Sequence, residues 1–208
     1  MINKCVILAD GSFPEHEIPL GYLRNAEHII CCDGSAKGLL EAGIIPDAIV
    51  GDLDSLSDEI AVKYPDRLYL DDDEDTNDLT KAVSWCINKG YKEILILGAT
   101  GKREDHTLGN ISLLAEYAKN TEVIMVTDTG VFSPHLKSFS ISSFPGQQIS
   151  VFSINPDTRV TSSGLKYKLD NLKLHNWWRA TLNEATGDSF ELTCTGGPII
   201  VYRKFRDS

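Results

Sequence analysis

The chain has 208 residues, of which 42% are hydrophobic and 24% charged, so it can bury the core of one large or two small domains. Its net charge of −10 at pH 7 argues against a general affinity for nucleic acid or for an anionic membrane surface, because both attract basic proteins. The sequence also lacks an apolar run of the roughly 18 residues that a membrane-spanning helix needs.

The first residues, MINKCVILADGSFP, predict a β-strand over 5–9 rather than a signal peptide, because the apolar stretch is short and runs into acidic residues. The five cysteines are odd in number and include no CxxC pair. We therefore predict reduced core thiols and a cytoplasmic protein.

Strand and helix patterns alternate through the first two-thirds of the chain. Apolar runs predict strands at 5–9, 28–32, 48–50, 67–70, 93–97 and 123–126. Helical spacing and end signals predict helices at 35–41, 58–63, 77–88 and 105–119. Short buried strands joined by helices form a parallel sheet that is covered on both faces. The fold expected for residues 1–132 is therefore a Rossmann-like α/β domain.

Helical periodicity disappears after about residue 130. Alternating patterns predict strands at 138–141, 148–154, 158–161, 189–194 and 199–203. Turn signals such as Pro145-Gly146 and Asn155-Pro156 separate them. We therefore expect a small antiparallel β-sandwich over residues 133–208, as a second domain.

Two carboxylates, Asp52 and Asp54, directly follow the strand predicted at 48–50. In an open α/β sheet, ligands bind beyond the carboxyl ends of the strands, where both side chains can face one cavity. Magnesium prefers oxygen ligands and commonly takes one or two carboxylates together with substrate phosphates. For such a pair alone, an Asp-rich turn that caps the next helix is the favoured explanation, so further residues must decide.

A second acidic segment follows the strand predicted at 67–70. Asp75 and Asp78 lie at the start of the next predicted helix, where Thr76 is placed to cap the helix and where the helix dipole favours an acid in any case. Lys81 follows Asp78 by three residues and shares its helix face. We assign the rest of the acidic run to a solvated loop: Asp71, Asp72 and Asp73.

Two further strands end in turns of small residues that lead into helices. The first turn begins at Asp33-Gly34-Ser35, and the second extends from Gly98 to His106 and includes Lys102 and Arg103. A helix N-terminus binds phosphate through its free N–H groups, and basic side chains would add to that attraction. The second turn lacks the spacing of a P-loop, and a tight strand-to-helix connection explains it as well.

All these residues follow strands, and a parallel sheet gathers the carboxyl ends of its strands at one edge. Acids with nearby lysine and arginine indicate a metal–polyphosphate site rather than a hydrolytic triad. We assign His28 and His106 to structural or hydrogen-bonding roles. Another magnesium-dependent nucleotide enzyme, such as a nucleotidyltransferase or a pyrophosphatase, would use the same acids, and a non-catalytic sensor of a small ligand would keep the pocket.

Three segments, CCDGSAKGLLEAGIIPDAIVGDLDSL, DEDTNDLTKAV and LGATGKREDHTLGNISLL, resemble in order and spacing the signature segments of bacterial thiamine pyrophosphokinases. SSGLKYKLDNLKL and ATLNEATGDSFEL resemble the thiamine-side segments of the same family. The resemblance implies transfer of a diphosphate from ATP to the hydroxyethyl group of thiamine, with Mg²⁺ as cofactor, giving thiamine diphosphate and AMP. It also implies a catalytic α/β domain, a thiamine-binding β-sandwich and a homodimer whose active site lies at the subunit interface.

The resemblance further implies roles for individual residues. Asp52, Asp54 and Asp78 would be catalytic and would hold magnesium, and Tyr167 and Asn183 would contact thiamine. The ATP and phosphate side would comprise Asp33, Gly34, Ser35, Asp75, Thr76, Lys81, Gly98, Gly101, Arg103, Asp105 and His106.

Three features depart from the family pattern. Leu182 stands where a serine is common, and Lys102 replaces a frequent small residue. The pair Trp177-Trp178 is unusual and would lie either at the dimer interface or, as we favour, over the core of the sandwich.

Overall fold

The structure is a computed structural model that describes residues 4–206. Contacts between residues divide this part of the chain into two compact units. The first unit contains residues 4–113 and 120–128, and the second contains residues 114–119 and 129–206.

A parallel sheet forms the centre of the first unit. Its strands are β1 (Lys4–Leu8), β2 (Ile29–Cys32), β3 (Ala48–Gly51), β4 (Leu68–Leu70), β5 (Glu93–Leu97) and β6 (Glu122–Val126). They lie in the order β6-β5-β1-β2-β3-β4, and each neighbouring pair is parallel. Buried side chains such as Ile7, Ile30 and Ile96 make this sheet the core of the unit. The predicted parallel α/β fold is confirmed.

Helices connect these strands. They are α1 (Glu17–Arg24), α2 (Ala36–Glu41), α3 (Asp58–Lys63), α4 (Asp78–Asn88) and α5 (Glu104–Tyr117). Short 3₁₀ turns, Asp33–Ser35 and Pro65–Arg67, precede α2 and β4. Within the described residues, no helix is long and apolar enough to cross a bilayer.

The cap of α4 differs from the prediction. Asn77, not Thr76, is the N-cap, and its Oδ1 accepts a hydrogen bond from the N–H of Thr80 at 2.9 Å. The Thr76 hydroxyl instead donates to Asp73 Oδ2 at 3.2 Å. Asparagine caps a helix at least as well as threonine, so the helix begins one residue later than we predicted.

Two antiparallel sheets form the second unit. Their strands are β7 (Gly130–His135), β8 (Phe139–Ser142), β9 (Gln148–Phe152), β10 (Arg159–Ser163), β11 (Leu172–Lys173), β12 (Ala180–Glu184), β13 (Ser189–Thr195) and β14 (Ile199–Lys204). One sheet has the order β12-β9-β14-β7 and the other β11-β10-β13-β8. Both contribute to one apolar cluster that includes Val151, Phe190 and Val201. The predicted β-sandwich is confirmed.

All five cysteines are free. Four of them are buried and Cys194 is half-buried, as expected for reduced thiols of a protein core.

Candidate active site

The order of the strands in the first unit changes direction at β1. The chain runs from β1 through β2 and β3 to β4 on one side, and then returns with β5 and β6 on the other side of β1. Open α/β sheets bind ligands at such a switch point, beyond the carboxyl ends of the strands. A cleft of about 350 Å³ lies there, and its walls include Asp10, Asp78, Lys102, Arg103, His106 and Asn110.

The ammonium group of Lys81 joins two of the predicted catalytic acids. Lys81 lies on the buried face of α4 with its side chain only 4% exposed, and its Nζ is 3.4 Å from Asp78 Oδ1 and 3.9 Å from Asp52 Oδ2. Burial lowers the pKa of Lys81, but the charges of Asp78, Asp52 and Asp71 outweigh it, so the pKa lies above its usual value. The structure therefore brings together the end of β3 and the start of α4 around one buried cation. Asp71, which we assigned to the solvated loop, is close enough to act on that cation.

Asp33 adds a third carboxylate from the end of β2. Its side chain is buried, its Oδ1 accepts a hydrogen bond from the N–H of Gly34 at 2.7 Å, and its Oδ2 has no hydrogen-bond partner among the described residues. Burial raises the pKa of Asp33, the Gly34 N–H opposes the shift, and the charges of Asp78 and Asp52 raise it further. A carboxylate in this position lacks a positive partner.

These acids fit a hard divalent cation that takes part of its ligands from a substrate. Magnesium binds few protein carboxylates and completes its shell with phosphate oxygens, so acids after β2, after β3 and at the start of α4 are the residues that could hold it. Within residues 4–206, no group of three or more His, Cys, Asp or Glu side chains is placed so that it could hold a metal ion, so the chain would offer at most two such ligands at once. Asp54 is exposed, and its N–H donates to Asp52 Oδ1 at 3.1 Å. Among the described residues, the Asp54 carboxylate makes no ion pair with Lys81.

The turn after β5 requires glycine at two positions. Gly98 and Gly101 have φ angles of 63° and 96°, which side chains rarely adopt. A Cβ atom on Gly98 would lie 2.8 Å from the carbonyl oxygen of Ala9, and one on Gly101 would lie 2.4 Å from Ser12 Oγ. The turn after β5 therefore packs directly against the segment that follows β1.

Arg103 and Asp105 pair with each other at the start of α5. The guanidinium donates to both carboxylate oxygens, at 2.6 and 3.1 Å, and this lowers the pKa of Asp105 to about 2. Both side chains are exposed. His106, whose N–H donates to Asp105 Oδ1 at 3.0 Å, is also exposed on the wall of the cleft. The arrangement leaves these groups accessible to a phosphate.

Two predicted phosphate-side residues, Ser35 and Asp75, have hydrogen bonds to other groups of the chain. The buried Ser35 hydroxyl lies 2.7 Å from the carbonyl oxygens of both Leu8 and Cys32, and so ties the end of β2 to β1. Asp75 is exposed, and its N–H donates to Asp73 Oδ1 at 3.0 Å within the acidic loop. Neither contact orients these residues towards the cleft.

The sequence patterns did not indicate Asp10, Asn77 or Asn110 as residues of this site. Asn77 donates to Asn110 Oδ1 at 3.1 Å, and Asn110 donates to the carbonyl oxygen of Ala99 at 2.9 Å, so the two amides link α4, α5 and the turn after β5. Asp10 could have been found, because it follows an apolar strand and precedes a glycine, as Asp33 does.

In the second unit, Asn183 holds the backbone of Tyr167. The buried amide of Asn183 accepts from the Tyr167 N–H at 3.0 Å, donates to the Tyr167 carbonyl at 2.7 Å, and also accepts from the Glu184 N–H at 2.8 Å. The Tyr167 ring is 60% exposed. The geometry gives Asn183 a supporting position and leaves the tyrosine ring free to meet a ligand.

Large apolar side chains are exposed along and beside β12. Leu182 is 77% exposed with a φ angle of 56°, at an irregularity in the pairing of β12 with β9. Trp178 is 70% exposed, whereas Trp177 is 38% exposed and packs edge-on against Phe152. The interpretation that the tryptophan pair covers the core is therefore wrong for Trp178, whose ring lies on the surface.

Comparison with known proteins agrees with the division of the chain. A model of the thiamin pyrophosphokinase catalytic domain matches residues 20–126, and a model of the thiamin pyrophosphokinase substrate-binding domain matches residues 130–202. The chain belongs to the thiamine pyrophosphokinase family.

Named relatives and solved structures of the family show the same similarity. The chain is 32% identical to Bacillus subtilis thiamine pyrophosphokinase over 178 residues, which cover 79% of this chain and 81% of that protein. It is 33% identical to rice thiamine pyrophosphokinase 1 over 144 residues, which cover 62% of this chain and 54% of the rice protein. The crystal structure of the B. subtilis enzyme superposes with a TM-score of 0.81 at 28% identity, covering 98% of this chain and 100% of that one. The thiamin pyrophosphokinase of Geobacillus thermodenitrificans gives a TM-score of 0.79 at 25% identity, with 99% of each chain covered.

These matches place this thiamine pyrophosphokinase family member among transferases that act in thiamine metabolism. Asp33, Asp52, Asp78 and Lys81 lie within the match to the catalytic domain, and Tyr167 lies within the match to the substrate-binding domain. Asp10 lies outside both matches.

Proposed function

We propose that the chain is a magnesium-dependent thiamine pyrophosphokinase, which transfers a diphosphate from ATP to the hydroxyl group of thiamine and releases AMP. The observation that supports this most strongly is the meeting of Asp52 and Asp78 at the Lys81 ammonium, 3.9 and 3.4 Å from its Nζ, at the edge where such sheets bind ligands. The first unit would bind ATP, and the second would bind thiamine.

In this reaction the hydroxyl oxygen of thiamine attacks the β-phosphorus of ATP. The bond from that phosphorus to the oxygen bridging the α- and β-phosphorus atoms breaks, the bridging oxygen leaves with AMP, and the hydroxyl proton passes to a carboxylate of the acidic cluster. Transfers of this kind depend mainly on positioning and on neutralising charge. The chain must therefore hold two substrates in line and supply positive charge near the phosphates.

Asp52 and Asp78 would hold Mg²⁺ together with phosphate oxygens, and Asp54 is the predicted third carboxylate. When bound, the ion neutralises the phosphate charge and orients the reacting groups. Lys81 would supply a second, permanent positive charge, since its pKa lies above the usual value and it stays protonated at neutral pH.

Arg103 would contribute a further positive charge. Its ion pair with Asp105 is exposed, with side chains 68% and 64% accessible, and exposed pairs contribute little stability. The guanidinium can therefore exchange the carboxylate for a phosphate oxygen, which it binds with comparable geometry. His106 and the turn from Gly98 to Gly101 would line the same part of the nucleotide site.

On the thiamine side, the exposed ring of Tyr167 would lie against the positively charged thiazolium ring. Asn183 would hold the backbone of Tyr167 in place through the two hydrogen bonds between them. The exposed apolar surface formed by Tyr167, Trp178 and Leu182 would be covered in a homodimer. Five free thiols are consistent with a cytoplasmic enzyme.

The purified protein should be incubated with ATP and Mg²⁺, with and without thiamine, and AMP should be measured. We expect AMP only when thiamine is present, and no AMP after the metal has been chelated. A nucleotidyltransferase or pyrophosphatase would release products without thiamine, and a sensor would bind the ligands without forming AMP. Either result would contradict the proposal.

A further inference from the structure

We propose that Lys102 binds the polyphosphate of ATP and that Asp10 is its positioning residue, an inference that rests on the proposed function. Asp10 follows β1 and Lys102 follows β5, the two neighbouring strands at the switch point. Both side chains line the cleft, and Lys102 Nζ lies 2.8 Å from Asp10 Oδ1.

The backbone holds the two segments side by side. The N–H of Gly11 donates to the carbonyl of Gly98 at 2.6 Å, and the N–H of Ser12 donates to the carbonyl of Thr100 at 2.8 Å. A Cβ atom on Gly11 would lie 2.4 Å from both of those carbonyl oxygens, so the approach is as close as a glycine allows. Asp10 therefore meets the turn that carries Lys102 from a fixed position.

The other side of the Asp10 carboxylate is fixed as well. A Cβ atom on Gly34 would lie 2.6 Å from Asp10 Oδ2, so the carboxylate lies against the backbone at the start of the turn after β2. Asp10 also faces Cys32 at the end of β2, where its charge acts on the buried thiol. The Asp10 carboxylate thus lies between the ends of β1, β2 and β5, and its Oδ1 accepts the contact from Lys102.

Lys102 makes fewer contacts with carboxylates than Lys81 and Arg103 do. Lys81 is flanked by two carboxylates, and Arg103 makes two hydrogen bonds to Asp105. Within residues 4–206, Asp10 is the only side chain that forms an ion pair with Lys102. An ammonium group has three N–H donors, so two remain for phosphate oxygens at the wall of the cleft.

The pair is not needed to hold the fold together. The side chains of Lys102 and Asp10 are 56% and 49% exposed, and ion pairs in that environment contribute little to stability. A positive charge placed over the cleft would instead act on the polyphosphate, whose charge the acids of the site would otherwise repel. Asp10 orients the lysine, and Lys102 contacts the nucleotide.

Direct binding tests the inference without the reaction. Calorimetry would measure the dissociation constant of the magnesium complex of α,β-methylene-ATP, in which carbon replaces the bridging oxygen that would leave with AMP. Lys102→Met should weaken binding about tenfold, the usual effect of losing one charge-assisted contact. Lys102→Arg should retain most of the affinity, because it keeps the charge. An unchanged dissociation constant for Lys102→Met would overturn the proposal.

Lys4→Met is the matched control. The Lys4 side chain is 52% exposed and pairs with Glu93 at 3.8 Å, but it lies at the amino end of β1, at the opposite edge of the sheet. The Lys4→Met variant should bind the nucleotide with the same affinity as the wild type. An equal loss in Lys4→Met and Lys102→Met would show a general effect of charge and would contradict a specific contact.

The positioning role of Asp10 is tested with a double-mutant cycle. Asp10→Asn alone should weaken nucleotide binding about threefold, and it should have no further effect when Lys102 is already methionine. Additive losses would show that Asp10 acts independently of Lys102, and would overturn its assignment. Thermal unfolding of each variant should match the wild type; if Lys102→Met does not fold, Lys102→Gln replaces it in the cycle.

The assay contains no thiamine, so its result is separate from that of the proposed function. Loss of affinity in Lys102→Met without any AMP formation by the wild type would support the nucleotide contact and contradict the kinase. Thiamine-dependent AMP formation together with an unaltered affinity in Lys102→Met would support the kinase and overturn the nucleotide contact.

Discussion

Lys81 combines a structural and a chemical role in one side chain. An ammonium group that is only 4% exposed has lost most of its hydration, and this is unfavourable unless nearby carboxylates compensate. Asp78 and Asp52 lie within 4 Å of it, at 3.4 and 3.9 Å. The acids assigned to magnesium therefore also stabilise the buried lysine, and a variant of either one affects both functions.

His135 should make the stability of the protein depend on pH. Its ring stacks 3.5 Å from that of Phe139, and burial followed by the charge of Arg203 lowers its pKa from 6.5 to about 4. Between about pH 4 and pH 6.5, the unfolded chain therefore binds more protons than the folded chain does. The contribution of His135 to stability is complete above about pH 6.5 and is lost as the pH falls towards 4. The difference in pKa corresponds to about 3 kcal/mol at most. The actual contribution should be smaller, because the His135 ring is only half-buried and solvent screens its charge.

Urea unfolding of the wild type and of His135→Phe at about pH 7.5 and about pH 5 measures this effect. The free energy of unfolding should fall less on acidification in the variant than in the wild type. Equal decreases in the two proteins would show that His135 does not carry this part of the pH dependence.

At the level of elements, the candidate site depends on how closely the segments after β1 and β5 approach each other. Gly11, Gly98 and Gly101 each lie where a Cβ atom would meet a neighbouring atom at 2.8 Å or less. These glycines belong to the two turns that form the walls of the cleft. The packing of the turns, rather than the strands alone, places Lys102 and Asp10 opposite each other.

Gly11→Ala should therefore destabilise the protein. Its Cβ would lie 2.4 Å from the carbonyl oxygens of Gly98 and Thr100, and backbone atoms cannot move aside as a flexible side chain can. We expect a loss of about 2 to 3 kcal/mol in the free energy of unfolding, together with weaker nucleotide binding.

Gly21→Ala is the control. Gly21 lies inside α1 with no atom within 4 Å of an added Cβ, so alanine should stabilise the helix by about 0.5 to 1 kcal/mol. Denaturant unfolding of both variants compares the two effects. A Gly11→Ala protein as stable as Gly21→Ala would disprove the tight approach of the two turns.

Local patterns were sufficient to predict most strands of the first unit to within one or two residues, because apolar runs and cap residues are local signals. They did not predict α1, since Pro19 and Gly21 interrupt its pattern. Pro19 is the third residue of the helix, where its missing N–H has no partner to lose. Nor did they predict β12 as a strand with defined bounds, because the left-handed backbone of Leu182 breaks the alternation.

The candidate site was predictable to the extent that parallel topology determines it. Asp52 and Asp78 were expected to meet, since they follow neighbouring strands, and both contact Lys81. The family resemblance implies that Asn183 contacts thiamine, and this stays a prediction. What the sequence did not indicate is that the Asn183 amide bonds to the backbone of Tyr167, sixteen positions earlier in the chain, and to the N–H of Glu184. Contacts of this kind depend on tertiary packing and leave no local signal in the sequence.

At the scale of the whole molecule, three large apolar side chains of the second unit are well exposed: Tyr167, Trp178 and Leu182, which we call the apolar patch. β12 ends its sheet order, and Leu182 lies on it. Trp178 accepts a backbone hydrogen bond from Thr181 of this strand, and the Tyr167 N–H donates to the Asn183 side chain. Large apolar side chains exposed to solvent favour association with another surface that covers them. A second copy of the chain would cover the apolar patch.

Sedimentation velocity should therefore show a dimer for the wild type and a shift towards monomer for Leu182→Asp, since a buried unpaired charge weakens an interface. Leu136→Asp is the control. Leu136 is 44% exposed and follows β7, three strands from β12 in the sheet order, so this variant should remain dimeric. A monomeric wild type, or equal dissociation in both variants, would refute the assignment of the patch.

The most direct test of the whole account is mass-spectrometric quantification of thiamine diphosphate and AMP formed by the purified protein from ATP, Mg²⁺ and thiamine. The control is Asp66→Asn, at an exposed position before β4. It should form as much thiamine diphosphate and AMP as the wild type does. Asp52→Asn should still fold, with some loss of stability because Lys81 keeps only Asp78 within 4 Å, and should form about a hundredfold less of each product. Absence of thiamine diphosphate from the wild-type reaction, or undiminished product from Asp52→Asn, would contradict the account.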